Sequence, residues 1–147
     1  MKHYCGLFVL TLGVTVLLCS GCFKGDGLNR TSVEGTVTVD GQPVPFGNVN
    51  FYPKPGTSCP TIGAAIKEGH YIMPKKGGPV PGEYKVQIIA NTTKPGKVKN
   101  LRGQVEDGLV TESILPKKYD PTQGGKETLS ATVTEGKNTI NFELTND

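Results

Sequence analysis

Residues 32–44, Ser32-Val33-Glu34-Gly35-Thr36-Val37-Thr38-Val39-Asp40-Gly41-Gln42-Pro43-Val44, decide how the rest of the chain is read. Val33, Gly35, Val37 and Val39 alternate with Glu34, Thr36 and Thr38. A period of two sends the first set to one face and the second to the other, which predicts a half-buried β-strand. Asp40-Gly41 then supplies a pair that accepts positive φ, the requirement of a two-residue hairpin turn.

Outward from this hairpin the pattern repeats. A second strand is predicted through Val49 and Phe51, closed by Pro53-Lys54-Pro55-Gly56, and further strands through Ile62/Ala64/Ile66, Tyr71/Met73 and Tyr84/Val86/Ile88/Ala90. Near the C-terminus come Leu129/Ala131/Val133, a turn at Glu135-Gly136-Lys137-Asn138, and Ile140/Phe142/Leu144. The 20 glycines and 11 prolines among 147 residues supply frequent turns and disfavour long helices. About seven short strands at this spacing predict an all-β sandwich, with Phe51 and Tyr84 as large core residues. Residues 91–110 carry no clear strand pattern and are expected to form a long loop, the candidate binding surface.

Upstream the chemistry changes. Lys2 and His3 precede the apolar run Leu7 to Leu18, interrupted only by Thr11 and Thr15 among polar side chains, and Ser20-Gly21 follow. A charged start, a short apolar stretch and small residues form a secretory leader, the stretch being too short for a span of about 20 residues. Leu18-Cys19-Ser20-Gly21-Cys22 resembles the bacterial lipobox, although Cys19 stands at the first position, where Leu is usual. The resemblance implies a signal peptide over 1–21, a lipidated Cys22 opening a flexible tether over 22–31, and a domain over 32–147. A membrane contact through acyl chains follows, since two chains suffice for stable anchoring. Phe23 after Cys22, in place of the Asp that commonly retains lipoproteins at the inner membrane, implies the outer membrane. Cleavage leaves Cys22 and Cys59, and a Cys22–Cys59 bridge in an unlipidated secreted chain is the rival account.

The quoted 33–44 block also resembles the first hairpin of carboxypeptidase regulatory-like domains, the transthyretin (prealbumin)-like Greek-key sandwich. So do Val49-Asn50-Phe51-Tyr52, Gly69-His70-Tyr71-Ile72 and Pro81-Gly82-Glu83-Tyr84-Lys85-Val86. Ile114 to Tyr119, Thr128 to Val133 and Gly136-Lys137-Asn138 with Phe142 and Leu144 are similar to the C-terminal half of small envelope lipoproteins with this domain. The likeness spans about 33–145. It concerns turns and core positions, so it implies a fold and says little of function.

The formal net charge is +3, and losing Lys2 from 16 basic residues leaves 15 against 13 acidic, which gives no case for nucleic acid. Within 91–110, Lys94, Lys97, Lys99 and Arg102 form a basic stretch that could meet an anionic polymer or lipid headgroups. Lys75-Lys76 and Lys117-Lys118 are pairs elsewhere. After cleavage His70 is the single histidine, so no Cys/His set at metal-ligand spacing and no cofactor motif is present in the sequence. Hydroxyisourate hydrolase shares the prealbumin-like fold but uses histidines, an arginine and a C-terminal tyrosine-containing tetrapeptide, none of which maps here. An enzyme is therefore not expected. Two roles stay open: a structural or protein-interaction module of the envelope, and a module for carbohydrate or anionic polymer. Tyr52, Tyr71 and Tyr119 are the candidate sugar-contacting aromatics. Two exposed tyrosines in a row would favour the second role, and a flat apolar edge the first.

Overall fold

The computed structural model describes residues 27–146; the leader and the first half of the tether, 22–26 with Cys22 and Phe23, lie outside the described residues. Among the described residues ten strands are present where about seven were expected: β1 (Ser32–Val39), β2 (Gln42–Pro43), β3 (Phe46–Pro53), β4 (Ile62–Lys67), β5 (His70–Met73), β6 (Gly82–Lys99), β7 (Val105–Ser113), β8 (Leu129–Val133), β9 (Lys137–Thr139) and β10 (Phe142–Leu144). Two single-turn 3₁₀ segments, Lys117–Tyr119 and Pro121–Gln123, separate β7 from β8.

The strands follow one hydrogen-bonded path, β10-β1-β5-β4-β3-β6-β7, with β2 and β9 added to β1 and β8 to β6. Most pairs are antiparallel, but β9 and β10 run parallel to the two ends of β1. The path is thinnest at β4–β5, where Lys67 and His70 are the one register pair. On one side of this corner lie β4, β3, β6 and β8; on the other lie β5, β1, β9 and β10. Their apolar faces meet in a shared core, where the Phe51 ring of β3 stands 6.3 Å from Phe142 of β10 and 5.7 Å from Tyr84 of β6.

Local chemistry explains why these segments fold so. β1 buries Val33, Gly35, Val37 and Val39 in the expected alternation. Asp40 and Gly41 have φ of 49° and 78°, and Glu68-Gly69, between β4 and β5, has 49° and 80°. Positive φ at both central residues closes a two-residue hairpin in keeping with strand twist. The core hydroxyls are all satisfied: Tyr84 Oη donates to Val80 O at 2.8 Å and Tyr71 Oη to Ile140 O at 2.8 Å. Cys59 packs partly buried against the same core.

Several sequence expectations are corrected. Residues 91–110 are not a loop. β6 continues to Lys99 and pairs with β7 from Asn91↔Ser113 to Lys99↔Val105, so past β3 the two form a ribbon projecting by about 27 Å at ~3.4 Å per residue. Lys137 and Asn138, read as turn residues, open β9, and Asn138 is buried. Ile140 precedes β10 instead of lying in it. The tether is docked before it reaches 31: Thr31 is buried and its N–H donates to Pro79 O at 2.7 Å, while the Arg30 guanidinium donates to Gly78 O.

Candidate functional site

β6 is the organising element. One of its edges is covered by β3 from Tyr84 to Asn91. On the other edge β8 pairs as far as Val86, and β7 begins at Asn91. Residues 87–90 therefore have no strand on that side, and the connection from β7 to β8 runs past the gap, with Ile114 N–H donating to Ala90 O at 2.9 Å.

A groove of about 410 Å³ lies between this stretch of β6 and the folded-back connection. Its walls include Tyr52, Lys85, Gln87, Tyr119, Lys126 and Leu129. Tyr52 points away from the core because its strand neighbours Val49 and Phe51 take the inner positions. Its hydroxyl donates to Gln87 Oε1 at 2.9 Å, which fixes the ring on the outer face. Lys85 is the direct register partner of Tyr52 on that face. Tyr119 is half-buried, with the Lys118 ammonium 5.3 Å from its ring centroid, a cation–π arrangement. Lys118 also donates to Thr145 Oγ1 at 3.2 Å.

The groove's outer wall is braced by Asp120. Its carboxylate accepts from Thr122 N–H at 2.9 Å, Thr122 Oγ1 at 2.6 Å and Gln123 Nε2 at 2.8 Å, capping the second 3₁₀ turn. These hydrogen bonds, Thr122's foremost, hold the carboxyl below the usual carboxylate range. Gly125 N–H donates to Asp120 O at 2.8 Å and Glu127 N–H to Lys118 O at 2.9 Å, tying the segment into a closed bracket. A second hollow of about 450 Å³, shallower, adjoins the groove through Gly125, Lys126 and Glu127, and adds Lys117 and Lys118 to the lining.

No family model, no curated protein and no solved structure matches this chain.

Of the three candidate tyrosines, Tyr52 and Tyr119 line the same groove. Tyr71 does not belong with them: it is 2% exposed, and the burial pushes its hydroxyl well above the usual tyrosine range, so it is a core residue. The basic stretch is likewise different from its reading as a patch. Lys94 pairs with Glu112 and Lys97 with Asp107, each at 2.6 Å across the ribbon. The returning strand brings the carboxylates that neutralise them. Lys99 and Arg102 remain near the tip, exposed, beside the fully exposed Leu101. Among the described residues no group of three or more His, Cys, Asp and Glu side chains gathers as a metal site, and no helix is long and apolar enough to cross a membrane. Cys59 is a free thiol among the described residues, and Cys22 lies outside them.

Sequence reasoning missed Lys85, Gln87, Asp120 and Lys126 as neighbours of the tyrosines. Asp120-Pro121 carried a usable signal, since Asp followed by Pro is a helix-start pair, N-cap then N1. Lys85 and Gln87 are simply outward positions of an alternating strand, which nothing local distinguishes from any solvated face.

Proposed function

We propose that the chain is a lipid-anchored protein of the bacterial envelope, held through Cys22 and delivered to the outer membrane, whose β-domain is a binding module without catalytic activity. For the domain we propose the prealbumin-like, carboxypeptidase regulatory-like architecture. Its support is that the sequence blocks similar to that family coincide with strands and their turns: 33–44 with β1 and β2, 49–52 with β3, 69–72 with β5 and 81–86 with the start of β6.

The groove is the binding site in this reading, and saccharide its ligand class. What carries it is that Tyr52 and Tyr119, 67 positions apart in the chain, line one groove together with Gln87 and Thr128. Tyrosine offers an apolar ring face for the C–H face of a sugar and a hydroxyl for its polar edge. Such a site, a few polar groups among apolar ones in a preformed concavity, is the usual form of a small-ligand pocket.

The test is binding of the full-length chain in mild detergent to a panel of neutral and acidic oligosaccharides, beside the double variant Tyr52→Ala, Tyr119→Ala. The expected loss is about tenfold or more, about 1.4 kcal/mol. A double variant binding as tightly as the parent would remove the groove from consideration. A second reading, a protein contact, would then stand: Val105 and Leu109 are exposed on β7, the last strand of the path, and Leu101 at the ribbon tip. Its occupant is an extended segment of a partner protein added along β7.

A further inference from the structure

We infer that the saccharide taken by the groove is acidic, a chain of carboxylate-bearing sugars of the uronic type, running from the Tyr52–Tyr119 groove into the adjoining hollow. This rests on the saccharide reading and narrows it. The groove and the hollow share the segment Gly125-Lys126-Glu127, and a ligand crossing that segment would pass from one to the other. Lys85 and Lys126 line the groove, and Lys117, Lys118 and Lys126 the hollow. The one acidic side chain in either lining is Glu127. The Lys118 ammonium is engaged by the Tyr119 ring and Thr145 Oγ1, which leaves Lys85, Lys117 and Lys126 against the one carboxylate. The ribbon behaves in the opposite way, because there Lys94 and Lys97 are neutralised by Glu112 and Asp107.

The arrangement suits a polymer with a ring and a charge in each unit. Lys85 lies beside Tyr52 in register, so one sugar stacked on Tyr52 can offer its carboxylate to Lys85. Lys126 lines both the groove and the hollow and Lys117 lines the hollow, and the next carboxylates would fall there. A neutral sugar would meet the rings and leave the ammonium groups in water. A chain of phosphates would meet the ammonium groups with nothing to stack. Opposite charges lining a cleft also raise the local concentration of the ligand and make binding sensitive to salt.

The experiment is calorimetric titration of the full-length chain in detergent with three probes: a uronic-acid oligomer, a neutral glucose oligomer of the same length, and inorganic polyphosphate as competitor. The uronic oligomer is expected to bind at least tenfold more tightly than the neutral one, to weaken as salt rises, and to resist displacement by polyphosphate. In the variant Lys85→Gln, Lys126→Gln the tenfold preference for the uronic over the neutral oligomer should be lost, with the melting temperature unchanged. Equal binding of both sugars by the parent overturns the inference and leaves the saccharide reading intact. Binding of neither overturns both. Displacement of the uronic oligomer by polyphosphate at equal charge overturns the inference too, since charge alone would then suffice.

Discussion

A methyl group at position 35 would lie 1.7 Å from the Ile140 carbonyl oxygen, a distance that no side-chain adjustment relieves because the obstacle is backbone. Glycine at this core position of β1 lets the chain before β10 cross close to the strand. There Ile140 N–H donates to Glu34 O at 2.8 Å while its carbonyl accepts the Tyr71 hydroxyl. Gly35→Ala is therefore expected to cost about 3 kcal/mol or more, the upper end for forced overpacking. Tyr71→Phe keeps the ring contacts and loses one hydrogen bond, for about 1–2 kcal/mol. Urea unfolding followed by tyrosine fluorescence separates the two. A Gly35→Ala protein as stable as the Tyr71→Phe protein would show that the crossing is not rigid. Asn138 acts in the same way as a buried bracket: its Nδ2 donates to Thr134 O at 2.9 Å and to Thr31 Oγ1 at 3.3 Å, and its Oδ1 accepts Thr134 N–H at 2.8 Å. Such satisfied networks fix which strands meet.

Among the elements, the Asp120-capped bracket is expected to depend on pH. The folded carboxyl is held below its ordinary value, so protons bind preferentially where the bracket is open. Its contribution is complete above the ordinary carboxylate range and is lost as pH falls through that range to the depressed folded value. Acidification from neutrality should therefore loosen residues 117–125 and weaken groove binding before the β-core unfolds. Asp120→Asn, still able to accept from Thr122, should flatten that pH profile. Backbone amide exchange at Thr122 and Gln123 across an acid series is the measurement, and exchange rates tracking those of β3 would refute a separate local opening. The segment was legible only in part. The alternating strands β1, β3, β6 and β8 could be read because each has one buried and one exposed face. The ribbon could not, because past Asn91 β6 leaves the core: Lys94, Pro95 and Lys97 face solvent there, so the apolar alternation that signals a strand is absent. Cross-strand pairing with Glu112 and Asp107 depends on residues ten and more positions away. The groove was half legible, since Tyr52 and Tyr119 could be named but their meeting depends on the gap beside β6, and Tyr71 differs from them by the face of its strand.

For the molecule as a whole, the anchor and the domain are expected to be separable. In the proposed reading the Cys22 sulfur is the atom that takes the diacylglyceryl group, and a hydroxyl is a far weaker nucleophile at neutral pH. Cys22→Ser should abolish incorporation of labelled palmitate and membrane retention while leaving the melting temperature of the β-domain unchanged, since Cys22 precedes its first strand. Equal labelling of both proteins would refute the anchor. Were a partner to pull on the ribbon, β6 would determine how the domain carries the load. The floor of the groove and the stem of the ribbon are one uninterrupted backbone of 18 residues. A pull on the ribbon acts along the strand axis, so the rungs joining β6 to β3 and β8 are strained together, in shear, and must fail as a group. The same force applied across the strand would unzip them singly. A domain built this way is expected to be dragged by its ribbon without tearing open at the groove.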